Sequence, residues 1–309
     1  MKISVVIPTH NRPDNLLITL KSVYEAVKEK LDVLILIEPK SNSLPKKEYL
    51  ESLSDKLNIT IKENEFNIGC DESIIRSFEY FKSQWIYFLG DSKPVRKDAF
   101  KIINEKIKEF PHAKAHHFRF DSFSTRTYEI KSISELVSIK YPLGDFILGG
   151  NYLVSKEIID KYIRYAYRVL TSRIANSAMS LMSLQNNVPI TVSSERIIDR
   201  FLEKPSNYDP GDDLANCWAS FPILCMLPLS HKNAKLLNKY ILDFYKINDL
   251  VIFVKYILLK LFRYKQNNVP KLVKNVISTR YIFYANYFEK SCLVILYLFS
   301  KLISYFKRF

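Results

Sequence analysis

Two polar turns carry the residue types that could do chemistry in this chain. Ile3-Ser4-Val5-Val6-Ile7 is an apolar, β-branched run that stops at Pro8-Thr9-His10-Asn11-Arg12-Pro13, and Trp85-Ile86-Tyr87-Phe88-Leu89 stops at Gly90-Asp91-Ser92-Lys93. Strands that empty into polar turns build a crevice at the carboxyl ends of a parallel sheet, which is where open α/β sheets bind their ligands. The chemistry to expect is therefore that of a bound molecule. Several rival chemistries lack their residues. The six glycines form neither G-x-G-x-x-G after the first strand nor G-x-x-x-x-G-K-[ST], which excludes the dinucleotide fingerprint and the P-loop. His112, His116 and His117 cluster, but neighbours on a strand point to opposite faces, so one metal could not easily take both His116 and His117. None of the four cysteines stands in a C-x-x-C pair, so a zinc site is not expected and buried thiols in a reducing compartment are.

The elements that must position these turns alternate. Strands are expected at 3–7, 33–37, 59–61, 85–89, 115–120, 146–154 and 188–192. Helices are expected at 14–28, 46–57, 71–82, 95–110, 156–168 and 171–184. The first helix shows the principle: Leu16, Leu17, Leu20, Val23, Tyr24 and Val27 make one apolar stripe. Strands and helices in alternation with short links give a doubly wound, mostly parallel α/β sheet with right-handed crossovers. The turn-rich Asn207–Asp213 ends the body. The expected domains are 1–220 and a helical, basic, aromatic-rich region at 221–309.

Charge divides the chain in the same way. The formal net charge is +14, yet Met1–Ser230 holds 31 Lys+Arg against 29 Asp+Glu, whereas His231–Phe309 holds 15 against 3. That last region also contains 17 of the 42 aromatic residues. Leu250–Phe262 and Ser291–Phe306 are its apolar segments, and both fall short of the roughly 20 apolar residues of a membrane span. Basic, aromatic-flanked helices of this kind suit the headgroup layer of an anionic membrane, each basic residue adding about 1 kcal/mol there. A helical subdomain with a solvated basic face is the alternative. The chain opens with Met1-Lys2 leading straight into a strand and without a signal-peptide pattern, which favours a peripheral place on the cytoplasmic face of the membrane.

The opening Ile3–Arg12, then Asn67-Ile68-Gly69 with Arg76, then Trp85–Asp91, resembles in order and spacing the first hundred residues of family-2 glycosyltransferases of the A-type fold. The resemblance continues more faintly to about residue 200. It implies sugar transfer from a nucleotide-diphosphate sugar, a UDP-sugar in the first instance, to a lipid-linked or saccharide acceptor in surface-polysaccharide synthesis, with inversion. Pro8 and Thr9 would then face the base, and Glu38 would hydrogen-bond base or ribose. Arg12 would sit near the donor and Arg76 near its diphosphate, and Asn67 and Gly69 would shape the loop over the donor.

Asp91 is the implied catalytic residue and the implied ligand of a divalent Mn²⁺ or Mg²⁺, since a diphosphate leaving group needs a cation and a hard cation takes oxygen ligands. Its structural alternative is an N-cap of the next helix. The sequence departs from the family twice. Ser92 and Lys93 stand where further acids are usual, which weakens or dispenses with the metal, and Lys93 could partly neutralise phosphate itself. No Asp or Glu lies between Asp160 and Glu195, where the family often carries its general base. Asp145, before Gly149-Gly150-Asn151, and Glu195 are the acceptor-side candidates. A catalytically eroded relative acting as a scaffold is the runner-up. A nucleic-acid-binding protein using the basic tail is a third reading, and no nucleic acid is expected under the first.

Overall fold

The computed structural model describes residues 2–119, 126–139, 152–169, 175–199 and 227–244, together with Ser291, Val294, Ile295, Tyr297 and Leu298. By its internal contacts the chain divides into Met1–Ser206 and Asn207–Phe309. The first unit contains β1 (Ile3–Thr9), α1 (Pro13–Ala26), β2 (Leu31–Ile37), α2 (Lys47–Glu51), β3 (Leu57–Glu63), α3 (Cys70–Ser77), β4 (Trp85–Phe88) and α4 (Ala99–Glu109). It continues through β5 (Ala115–His117), β6 (Tyr128–Ile130), α5 (Ile133–Ser138), β7 (Tyr152–Ser155), α6 (Lys156–Arg168), α7 (Ala175–Gln185) and β8 (Ile190–Val192).

These strands form one eight-stranded sheet in the order β3-β2-β1-β4-β7-β5-β8-β6. β1, β2, β3 and β4 are parallel neighbours, and β5 and β8 pair in parallel farther along. β7 lies antiparallel between β4 and β5, and β6 antiparallel on β8. The sheet is thus mixed and mostly parallel, as the alternating pattern predicts. The reversed strands are not visible in that pattern, because β7 is reached through β6 and α5 rather than through a single crossover helix of fixed hand.

β1 and β2 are buried on both faces, which is why they read as unbroken apolar runs, whereas the edge strand β3 is largely exposed. Val5, Ile7, Val33, Ile35 and Tyr87 point into one layer with Leu16, Leu20 and Val23 of α1 and Ile103 and Ile107 of α4. The opposite face meets α3, whose neighbour Phe78 sets its ring edge-on to Phe88 and Tyr152, with centroids 6.3 and 6.5 Å away. α6 and α7 pack together on this side and against α3. Pro13 at the first turn of α1 presets its φ.

His116 and His117 do lie on opposite faces. His116 Nδ1 sits 2.7 Å from Thr191 Oγ1, and His117 Nε2 2.8 Å from Ser180 Oγ. Burial pushes both imidazoles down to about 3, so they are neutral core residues. In the second unit, Leu237 and Tyr240 of α8 (His231–Phe244) are buried. Among the described residues no helix is long and apolar enough to cross a membrane. Leu250–Phe262, and all of Ser291–Phe306 but five residues, lie outside the described residues.

Candidate active site

The four parallel strands each deliver a buried polar residue at the carboxyl end: Thr9 from β1, Glu38 after β2, Asn64 after β3 and Asp91 after β4. At exposures of 5%, 6%, 1% and 7% their polar atoms depend on internal partners, which Asn64 Oδ1 lacks among the described residues. The register shows how the crevice opens. Pairing of β1 with β4 ends at Val6↔Phe88, whereas pairing of β1 with β2 runs on to Thr9↔Ile37. Leu89 N–H donates to the Val6 carbonyl at 3.0 Å, the last bond on that side. Pro8, which has no donor, falls just beyond it, where a central strand tolerates proline because its neighbour has ended.

Asp91 is the hub of a first cluster. Thr9 Oγ1 donates to Asp91 Oδ2 at 2.8 Å, and Arg12 Nη1 reaches Asp91 Oδ1 at 3.4 Å. The His10 main-chain N–H also serves the carboxylate. Burial raises the Asp91 carboxyl above the usual range, and Arg12, Thr9 and His10 pull it back. Two helix hydroxyls fix the loop itself. Thr19 Oγ1 donates to the Asp91 carbonyl at 2.8 Å, and Val95 N–H donates to Ser22 Oγ at 2.9 Å. The following helix α4 begins only at Ala99, with Asp98 before it, so Asp91 caps no helix. Lys93 N–H closes a turn onto the Gly90 carbonyl, and its aliphatic chain folds back over Gly90.

Glu38 is the hub of a second cluster. Its carboxylate accepts from Asn64 Nδ2 and from Ile68 N–H, each at 3.2 Å, and from the Ser73 hydroxyl. Asn64 N–H in turn donates to the Ile37 carbonyl. The two clusters are joined by their loops. Asn11 N–H donates to Ser43 Oγ at 2.7 Å, and Asn42 N–H to Asn11 Oδ1 at 2.8 Å. Asn11 takes φ 55°, a left-handed conformation that asparagine tolerates.

Gly69 N–H donates to Asn67 Oδ1 at 3.0 Å, and Gly69 caps α3 with φ 94°. Arg76 stands at the far end of α3, with its Nε on Tyr80 Oη at 3.2 Å. It lines a separate cleft of ≈ 450 Å³ with Ile68, Glu72, Glu79, Tyr80 and Tyr167. Glu195 is exposed beyond β8, and its carbonyl accepts from Arg119 N–H. The next residues strap back to the β4 loop, where Arg96 N–H donates to the Ile197 carbonyl and Asp199 N–H to the Pro94 carbonyl. Asp145, Gly149, Gly150 and Asn151 lie outside the described residues.

The structure thus brings Thr9, Arg12 and Asp91 together, sets Glu38 in an adjacent network, and leaves Arg76 in another cleft. Sequence reading missed Thr19, Ser22, Asn64 and Ser73. The signal for Thr19 was a hydroxyl inside the buried stripe of α1. The signal for Asn64 was a polar residue closing a strand, as in the other three.

A divalent cation fits this donor set poorly. Both Asp91 oxygens already have partners, one of them a guanidinium, and the residue two positions on is Lys93. Among the described residues no three His, Cys, Asp or Glu side chains gather as a metal would require.

The profile of glycosyl transferase family 2 matches residues 4–167, more than half of the chain. The chain belongs to glycosyl transferase family 2. Among curated proteins no sequence match is found. Among solved structures, this glycosyltransferase is similar to TarS 1–349 of S. aureus in complex with UDP-GlcNAc, with TM-score 0.61 and 13% identity over 100% of this chain and 92% of the other. It is also similar to TarS 1–349 in complex with UDP, with TM-score 0.57 and 14% identity over 90% and 81%. A third is the mannosyltransferase PcManGT from Pyrobaculum calidifontis in complex with GDP-Man and Mn²⁺, with TM-score 0.52 and 10% identity over 91% and 86%. At these identities the likeness establishes the A-type fold of the family-2 glycosyltransferase.

Proposed function

We propose that this family-2 glycosyltransferase moves a sugar, with inversion, from a UDP-sugar to a lipid-linked or saccharide acceptor in cell-surface polysaccharide synthesis. The observation that carries the reading is the row of buried polar residues, Thr9, Glu38, Asn64 and Asp91, closing four parallel strands beside a gap between β1 and β4. The neighbours solved with UDP-GlcNAc, UDP and GDP-Man support a nucleotide-sugar donor. In this reading Pro8, Thr9 and Glu38 face the nucleoside, with Asn67 and Gly69 shaping the loop above it. Arg12, Asp91 and Lys93 stand by the diphosphate, Asp91 orienting Arg12. Arg76 belongs to the outer edge of the donor side.

In the transfer, the bond between the anomeric carbon and the diphosphate oxygen breaks and its electron pair leaves with the nucleoside diphosphate. The acceptor hydroxyl oxygen bonds the same carbon from the opposite face, and its proton passes to a carboxylate base. Glu195 and Asp145 are the acids assigned to that side, with Gly149, Gly150 and Asn151 bordering the acceptor. The basic region 231–309 supports an anionic membrane surface as the place of work, on the cytoplasmic face.

The test is a thermal-shift panel of UDP, GDP and their sugars on wild type and Asp91→Asn, followed by release of free UDP in the presence of membrane lipid extracts. A nucleotide shift diminished in the variant is expected, and no shift with any nucleotide would sink the proposal. The acid-poor stretch between Asp160 and Glu195 favours one other reading, a non-catalytic relative serving as scaffold. It predicts flotation with anionic liposomes without turnover of any donor.

A further inference from the structure

We infer that this chain meets the charge of the donor's diphosphate with its own cations, Arg12 and Lys93, in place of a divalent metal ion. The inference rests on the sugar-transfer reading and names the groups that handle the leaving group. Asp91 and Arg12 form an ion pair in which the cation is the accessible partner, since the Arg12 side chain is 32% exposed and that of Asp91 9%. An anion entering from solvent therefore meets the guanidinium before the carboxylate.

The carboxylate has little left to offer a metal. Oδ2 is engaged by Thr9 and Oδ1 by Arg12, whereas a hard cation requires several unencumbered oxygen donors. A metal approaching Asp91 would also be repelled by Arg12. Two residues on, where a second carboxylate would complete a metal pair, the chain has an ammonium group. Lys93 is held on the same loop by its turn onto Gly90, and that loop is fixed to α1 through Thr19 and Ser22. Arg12 opens one side of the gap and the loop that carries Lys93 closes the other, so a cationic residue stands on each strand end that flanks Asp91. Arginine suits the task because its planar fork matches phosphate oxygens in pairs, with lysine as a compact point charge beside it.

Titration calorimetry of the full chain with UDP and with GDP, in EDTA and in Mn²⁺, tests this. The affinity for the preferred nucleotide is expected to differ by less than about threefold between the two conditions. Arg12→Gln and Lys93→Met are each expected to weaken binding in EDTA by about tenfold, the loss of one charge-assisted contact, with Arg12→Lys restoring part of it. Lys93→Asp reverses the charge at that position and is expected to weaken binding in EDTA more than Lys93→Met does. Circular dichroism and the melting temperature identify a variant that fails to fold, and Arg12→Lys then carries the test for that position. Binding by wild type that disappears in EDTA and returns with Mn²⁺ overturns the inference and leaves the sugar-transfer reading standing. So do folded Arg12→Gln and Lys93→Met proteins that bind in EDTA like wild type. Absence of UDP and GDP binding in both conditions overturns the sugar-transfer reading itself.

Discussion

Thr9 Oγ1 donates a 2.8 Å hydrogen bond to Asp91 Oδ2 and so ties the end of β1 to the loop beyond β4, across the gap where the two strands have stopped pairing. Removing the hydroxyl while keeping the shape isolates that bond. Thr9→Val is expected to lower the unfolding free energy by about 1–3 kcal/mol, the range for a buried acceptor that loses a donor. Thr9→Ser should recover most of it. Urea unfolding of the three proteins measures this.

The pH dependence of Asp91 has a definite sign. Burial raises its carboxyl above the usual 3.8, with Arg12 and Thr9 opposing. The folded state therefore holds the proton more tightly than the unfolded chain, and the contribution of Asp91 to stability falls as pH rises from 3.8 through the folded value. The stability of wild type relative to Asp91→Asn should thus decline over that window. A difference that grows with pH would mean that Arg12 outweighs burial.

His116 and His117 have the opposite sense. Both are held down to about 3 by burial, so the unfolded chain takes up protons that the folded core refuses. Stability should fall as pH drops below 6.5, by at most about 1.4 kcal/mol per pH unit for each imidazole. Unfolding free energies between pH 7 and pH 4 give the slope directly, and a flat profile would contradict the buried neutral assignment.

Gly69→Ala should cost about 1–3 kcal/mol, because φ 94° with ψ 171° is a region that only glycine occupies readily. A Cβ would also stand 2.9 Å from Glu72 Oε2, a contact that the flexible side chain can relieve. Under the proposed function the same change weakens nucleotide binding, which calorimetry on the folded variant checks.

Glu38→Gln keeps the volume and inverts half of the hydrogen-bonding capacity. Asn64 Nδ2, Ile68 N–H and the Ser73 hydroxyl all donate to this carboxylate, and an amide NH₂ would face at least one of them. A loss of about 1–3 kcal/mol in unfolding free energy is expected. Ser73→Ala should cost less, since two of the donors remain.

The half of the fold that holds the gap between β1 and β4 was legible because each element there has a strong local signature. β1, β2 and β4 are apolar runs cut off by polar turns, and Thr9, Arg12, Glu38 and Asp91 follow them directly. Glu38 reads from sequence as an acid closing β2, yet its three donors arrive from the residue after β3, the following loop and α3, a convergence no local pattern encodes. α2 is shorter than its apolar spacing suggests, because Ser52–Lys56 turns into β3. β6 and α5 were missed, since three strand residues and six helical ones carry too little periodicity to read. Arg76 was placed by motif order, whereas the length of α3 carries it to the opposite end of the helix from Gly69.

α1 begins at Arg12–Pro13 on one rim of the gap and, two turns later, grips the other rim through Thr19 and Ser22. A single rigid rod therefore sets the distance between the rims, as the bar of a caliper sets its jaws. One residue inserted between Pro13 and Thr19 would rotate both hydroxyls by about 100° and release the far jaw while leaving every β-strand in register.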